Sequence, residues 1–364
     1  MKSTMLQQVM EAPRKITFRT VPVPQPQRGQ VLIEVKRVGI CGSDIHVYHG
    51  MHPFTSYPIT QGHELSGQIV ALGADVSDFT VGQRVTIEPQ VFCGKCYPCR
   101  HGKYCDELKV MGFQTTGACS TYFAVDAAKV DLLPDDVSYD EGAMIEPLAV
   151  TVHAAKQFAD IQGANVAILG AGPIGILLAQ SVKALGARQV LITDVSDYRL
   201  SVAKSVGADF TVNTANSNFG DALIAAFGAD KADVIYDCAG NDVTMGQAIR
   251  YARKGSTIIL VAVFAKMASV DLAVLNDHEL DLNTTMMYRH EDYVDAISFV
   301  HKGLVQLKPL MSRHFPFRAF HDAYVYIDEN REKTMKVLID VDDLREDNLS
   351  PASGPDLKPA IDHI

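Results

Sequence analysis

The sequence predicts an α/β protein in which a mostly-β segment accompanies a doubly wound parallel sheet. Three observations carry that prediction. From about residue 163 to 288, apolar stretches of strand length alternate with helical patterns, which implies a parallel sheet covered on both faces. Ahead of it, short β-branched runs are separated by Gly and Pro turns. At the end of the first apolar stretch stands Gly170-Ala171-Gly172-Pro173-Ile174-Gly175, a glycine-rich turn between a strand and a helix.

In chain order, QVLIEVKRVGI (30–40), LSGQIVAL (65–72) and QRVTIEP (83–89) read as strands. Residues 141–159 read as a helix, with Pro147 in a first turn or at a kink. NVAILG, QVLITD, ADVIYDCAG, STIILVAVF and LDLNTTMMY are the strands of the alternating region. PIGILLAQSVKALGA, DYRLSVAKSVGA and VTMGQAIRYARKG are its helices. EDYVDAISFVHKG (291–303) then reads as an amphipathic helix and KTMKVLIDV (333–341) as a strand, both returning to the first domain. The expected division is 1–152 with 290–343, 153–289 inserted between them, and an arm over 344–364.

At 364 residues the chain has the size of two domains, and 47% hydrophobic with 21% charged residues excludes wholesale disorder. The net charge of −10 argues against nucleic acid and against an anionic membrane surface as partners. Residues 161–182 carry no charge, but Gly163, Gly170, Gly172, Pro173 and Gly175 break them into strand, turn and helix rather than a membrane span. The first residues show no secretory pattern, so the expectation is a cytoplasmic protein.

In the glycine turn, Gly170 allows the tight bend, Gly172 lets the backbone approach a pyrophosphate, and Gly175 lets helix and strand pack closely. Pro173 and Ile174 open the helix, whose free N–H groups favour phosphate. Asp194, ending the next strand, stands where a carboxylate binds ribose hydroxyls, and it favours NAD over NADP. Arg199, five residues on, is the residue that would support a 2′-phosphate.

Of seven cysteines, Cys93, Cys96, Cys99 and Cys105 crowd one polar loop, offering four thiolates for a tetrahedral structural zinc. A second set is scattered: Cys41 in GICGSDIH, His63 and Glu64 in QGHELSG, and Glu146 in MIEPLAV. Together a thiolate, an imidazole and carboxylates would leave a catalytic zinc one open position. Taken singly, Cys41 reads equally as a core thiol, His63 as a turn histidine and Glu146 as a helix-capping acid.

These motifs, in this order, resemble the zinc-containing medium-chain alcohol dehydrogenase family over about residues 5–343. Its zinc signature is matched by Gly62, His63, Glu64, Gly67, Gly73 and Val76. Within the family the sequence is most similar to sorbitol (iditol) and other polyol dehydrogenases, because Glu146 stands where classical alcohol dehydrogenases place a cysteine. The resemblance implies a GroES-like catalytic domain, a Rossmann domain, a cleft between them, and a homotetramer or dimer. It implies that Cys41, His63 and Glu64 hold catalytic zinc. Glu146 would be a further ligand or a partner of the zinc-bound water. Ser43 would take the substrate proton, His46 would relay it, and Arg289 in TTMMYRHEDY would contact substrate. Five residues separate Cys99 from Cys105, two fewer than the family usually carries.

The expected reaction is reversible oxidation of a secondary alcohol of a polyol or sugar acid to a ketone with NAD, zinc acting as Lewis acid. An L-threonine dehydrogenase or a phosphorylated-polyol dehydrogenase would share nearly all these motifs. A catalytically inactive zinc-loop interaction protein would lack some of them.

Overall fold

The computed structural model describes residues 2–102, 104–264 and 266–344. The arm expected beyond 344 therefore lies outside the described residues. In the alternating region, six parallel strands form one sheet in the order Phe210–Asn213, Gln189–Asp194, Asn165–Leu169, Val234–Asp237, Thr257–Leu260, Asp281–Thr284. Counted along the chain that order is 3-2-1-4-5-6, which places the switch point beside Asn165–Leu169. Side chains alternate across a strand. Val166 and Ile168 accordingly join the core on one face, and Ala167 and Leu169 join that on the other. Both faces are covered, which is why NVAIL is apolar throughout. The uncharged stretch thus resolves into this strand and the helix Pro173–Ala184. No helix of the described residues is long and apolar enough to cross a membrane.

The remaining strands build a seven-stranded, mostly antiparallel sheet around Gln30–Ile40. That strand pairs with Glu64–Leu72 on one side, and with Tyr122–Asp126 and Lys336–Asp340 on the other. Met311–Pro316 extends the sheet at one end, and Arg84–Ile87 with Val130–Leu132 at the other. The C-terminal strands therefore complete a sheet begun by the first hundred residues. The hairpin Thr4–Ala12 with Lys15–Pro22 stands apart from it.

The predicted helix over 141–159 is two pieces, Tyr139–Gly142 and Ile145–Lys156. Ser138 caps the first through reciprocal bonds with Glu141. Pro147 falls in the first turn of the second, where its missing N–H costs nothing. Helix His290–His301 buries Tyr293, Ala296 and Phe299 in the core that also holds Val166 and Ile168. The Tyr293 hydroxyl, at its other end, reaches Thr86 Oγ1 (2.8 Å) and the Ile87 carbonyl (2.7 Å) of the antiparallel sheet. One helix therefore touches both sheets.

Candidate active site

Cys41 caps the short helix Gly42–Tyr48, and His63 and Glu64 lie where the chain enters the strand Glu64–Leu72. The Cys41 thiol, a His63 ring nitrogen and a Glu64 carboxylate oxygen lie within 4.8 Å of one another. His63 and Glu64 are both buried, and His63 Nδ1 has no hydrogen-bond partner among the described residues. Soft, intermediate and hard donors gathered around one point suit a zinc-like ion with a position left open. Burial disfavours a charged imidazole, yet Asp44, Cys41 and Glu146 outweigh it and hold His63 well above its usual value. Such an excess of negative field is what a bound cation would answer. The residues present therefore fit the metal.

Glu146 comes to the same place from the start of helix Ile145–Lys156. Burial, opposed by His63 and reinforced by the Glu64 charge, raises its carboxyl to about 7. Two supporting residues had no signal in the sequence. Asp44 is buried; its carboxylate accepts from the Cys41 N–H (2.9 Å) and from Gln61 Nε2 (3.1 Å), and it lies 3.7 Å from His63 Nδ1. Lys336, from the C-terminal strand, donates to both Glu64 oxygens at 2.7 Å. A Cβ on Gly39 would overlap Glu64 Oε2, so only glycine lets the carboxylate lie there.

Ser43 Oγ lies 3.8 Å from Cys41 Sγ. His46 follows three residues later on the same face of the helix, exposed to solvent. Phe113, from the loop after Lys109–Val110, stacks on His52 and tilts against His63, both at 4.8 Å between ring centres. Arg289 points elsewhere. It donates to the Gly102 carbonyl (2.5 Å) and lies over the Tyr104 ring, both in the cysteine loop.

That loop brings the thiols of Cys93, Cys96, Cys99 and Cys105 within 4.8 Å of one another, despite the shortened spacing, and all seven cysteines of the chain are free thiols. Backbone N–H groups of Lys95 and Cys96 bond the Cys93 sulfur and lower it to about 6, and the Glu107 N–H reaches Cys105 Sγ at 3.3 Å. Amides aimed at the sulfurs stabilise the thiolate form and orient it, as the ligands of a tetrathiolate metal require. The loop is docked by a chain of contacts: Tyr104 hydroxyl to His153 (3.1 Å), His153 to Asp292 (2.6 Å), and Lys156 to Asp292 (2.7 Å). Although burial raises Asp292, those bonds and one from the Arg289 N–H lower its carboxyl from 3.8 to about 2. A depressed carboxyl contributes stability above its unfolded value and loses it as pH falls through the folded one. Replacing Asp292 by Asn is therefore expected to remove about 2 kcal/mol at neutral pH. The gap to wild type should narrow between about pH 4 and pH 2 in urea titrations.

At the glycine turn, helix Pro173–Ala184 starts from Gly172, and a Cβ on Gly175 would overlap the Gly170 carbonyl oxygen. Asp194 ends its strand with Oδ2 accepting from the Ala171 N–H (2.8 Å) and Oδ1 from Val195 and Ser196. The predicted carboxylate thus sits directly against the predicted turn. Arg199 lies 3.9 Å from Asp194 and donates to the Arg331 carbonyl. Gly175→Ala is expected to cost about 3 kcal/mol, because neither backbone can yield. It should also weaken NADH binding, read by fluorescence titration.

Two family models match the chain: Alcohol dehydrogenase GroES-like domain over residues 27–135, and Zinc-binding dehydrogenase over residues 173–302. It is 32% identical to sorbitol dehydrogenase of Bacillus subtilis (strain 168), over 91% of this chain and 96% of that one. It is 33% identical to L-idonate 5-dehydrogenase of Vitis vinifera, over 83% and 85% respectively. Among solved structures, the short chain alcohol dehydrogenase (rspB) from E. coli CFT073, complexed with cofactor NADH, matches with a TM-score of 0.87. That match has 30% identity and covers 93% of this chain and 100% of that one. The protein is a zinc-binding dehydrogenase, built as expected from a GroES-like domain and a Rossmann-type parallel sheet. The chain belongs to the zinc-containing medium-chain alcohol dehydrogenase family, among the polyol dehydrogenases.

Proposed function

We propose that this enzyme oxidises a secondary alcohol of a polyol or sugar acid to a ketone, reversibly, with NAD. The observation that carries the reading is the convergence of Cys41, His63 and Glu64, with the carboxyl of Glu146 beside them. Cys41, His63 and Glu64 would hold the catalytic zinc, with Glu146 as a further ligand or as partner of its water. The four-cysteine loop would hold the structural one. When bound, the catalytic ion supplies Lewis-acid polarisation and the nicotinamide supplies the hydride acceptor.

The chain's own groups do the rest. Ser43 Oγ takes the proton of the substrate hydroxyl, and exposed His46, one turn further along the helix, passes it to solvent. Phe113 packs against the His63 ring and stacks on His52, placing an apolar side chain beside the imidazole. The amides at the start of helix Pro173–Ala184 hold the pyrophosphate, and Asp194 holds the ribose and disfavours a 2′-phosphate. Arg289 braces the cysteine loop; a direct contact with substrate has no support in its position. The polyol and sugar-acid dehydrogenases among the relatives support the substrate class. The division at residues 152 and 290, a cytoplasmic location and a homotetramer or dimer belong to the same reading.

The test is NAD-dependent oxidation across a panel of polyols, hexonates and L-threonine, with and without a chelator. Oxidation of a polyol or hexonate that the chelator abolishes is the expected result. Turnover of L-threonine alone would move the substrate to amino alcohols, and full activity in metal-stripped protein would remove the metal from the mechanism.

A further inference from the structure

We propose that Glu88, Asp131 and His290 form a third cation site, which takes a first-row divalent ion where the antiparallel sheet meets helix His290–His301. None of its ligands is shared with the two zinc clusters. Asp131 pairs across the sheet with Thr86, and Glu88 lies two residues beyond Thr86, so both carboxylates leave the same face as diagonal neighbours. His290 opens the helix directly above them. Its Nδ1 is 2.6 Å from Glu88 Oε1 and 3.9 Å from Asp131 Oδ1, and one donor atom from each residue lies within 4.8 Å of the others.

The arrangement is unbalanced without a cation. Glu88 is only 5% exposed, and Asp131 Oδ2 is a buried oxygen with no hydrogen-bond partner among the described residues. Burial, together with the Glu88 charge, pushes the Asp131 carboxyl up to about 6, despite His290 and Lys129 acting the other way. Lys129 does not resolve the conflict directly, since its ammonium is drawn over the Phe92 ring, 4.9 Å from the centre. The imidazole is hydrogen-bonded to Glu88 at 2.6 Å and reaches Asp131 only at 3.9 Å, whereas a divalent ion would satisfy both carboxylates directly.

Two carboxylates and an imidazole, with room for water, suit Zn²⁺ or Mn²⁺ and give Mn²⁺ a preference it lacks at thiolate sites. An entry path exists, because His290 is two-thirds exposed and, with Glu88, lines a pocket of about 370 Å³ shared with Phe92, Lys129 and Arg289. The ion would fasten the strands Arg84–Ile87 and Val130–Leu132 to the helix whose Tyr293 already bonds Thr86 and the Ile87 carbonyl.

Mn²⁺ added to the full-length, zinc-loaded enzyme tests this by electron paramagnetic resonance, which reads free Mn²⁺ directly. Wild type is expected to take up one equivalent per chain, and excess Zn²⁺ should displace it. Asp131→Asn and His290→Ala should each weaken uptake by at least the ~10–100-fold that losing even an outer-shell partner costs. His290 is exposed, so its alanine variant folds whatever becomes of Asp131→Asn. No Mn²⁺ uptake by wild type, or uptake unchanged in His290→Ala and Asp131→Asn, would overturn the site.

Discussion

Replacing His63 by asparagine is expected to lower kcat/KM by about 10³-fold or more and to release one metal equivalent per chain. Lewis-acid polarisation is worth several kcal/mol, and each 1.36 kcal/mol is a factor of ten in rate, which gives about that loss. Asparagine keeps a polar side chain of similar reach against Phe113, which packs 4.8 Å from the imidazole, so collapse of the pocket is not the cause. It removes the middle member of the Cys41–His63–Glu64 donor set. Metal content by mass spectrometry and steady-state rates on the same preparation make the test. Full activity with the metal gone would break the link between the two. A variant that keeps both would show that the cluster is not the metal centre. The cysteine loop provides the internal comparison: its four thiolates share no ligand with His63 and should keep their ion.

How much of this could be read along the chain follows from sequence distance. Local signals were legible. QVLIEVKRVGI is a strand over Gln30–Ile40 as predicted, and Asp194 closes its strand against the glycine turn. Cys41 and His63 were recognisable as candidate metal ligands through the family pattern alone, because 21 intervening residues carry no spacing rule of their own. The third parallel strand, Phe210–Asn213, escaped notice, since its four half-buried residues make too short an apolar run. The predicted strand over 333–341 is shorter in the structure, Lys336–Asp340, because Met335 and its predecessors make the turn into it.

Partnerships across the fold were not legible at all. Lys336 meets Glu64 over 272 positions of sequence. From residue type alone it is a solvated lysine on a strand, and only the pairing of its strand with Gln30–Ile40 carries it inside. His153, Asp292 and Tyr104 likewise become a connected set only once two helices and a loop are packed. Arg289 illustrates the same limit: the motif around it resembles a substrate-contacting segment, and in the structure its guanidinium rests on the cysteine loop, at the Gly102 carbonyl and over the Tyr104 ring. A motif reports which segment comes near a site, but side-chain direction within it depends on packing that a single sequence does not encode.

Lys336→Met is the substitution expected to cost the most stability, and the size of its effect depends on the metal. Both Glu64 oxygens rest on the Lys336 ammonium, Lys336 is 3% exposed and Glu64 is fully buried. The carboxylate lies so close to Gly39 that a Cβ there would overlap Glu64 Oε2. Removing one partner of such a pair leaves an uncompensated buried charge, worth about 3–5 kcal/mol. In metal-free protein the full loss should appear as a lower denaturation midpoint with an unchanged slope. In metal-loaded protein an ion gathered by Cys41, His63 and Glu64 supplies positive charge to the same carboxylate, so the loss should shrink. Adding Glu64→Gln to Lys336→Met removes the stranded charge, and the double-mutant cycle in the two forms separates the pair's own coupling from the metal's share. An equal loss with and without metal would mean that Glu64 answers to Lys336 alone. Cys41, His63 and Glu146 would then be the donors left to hold the ion.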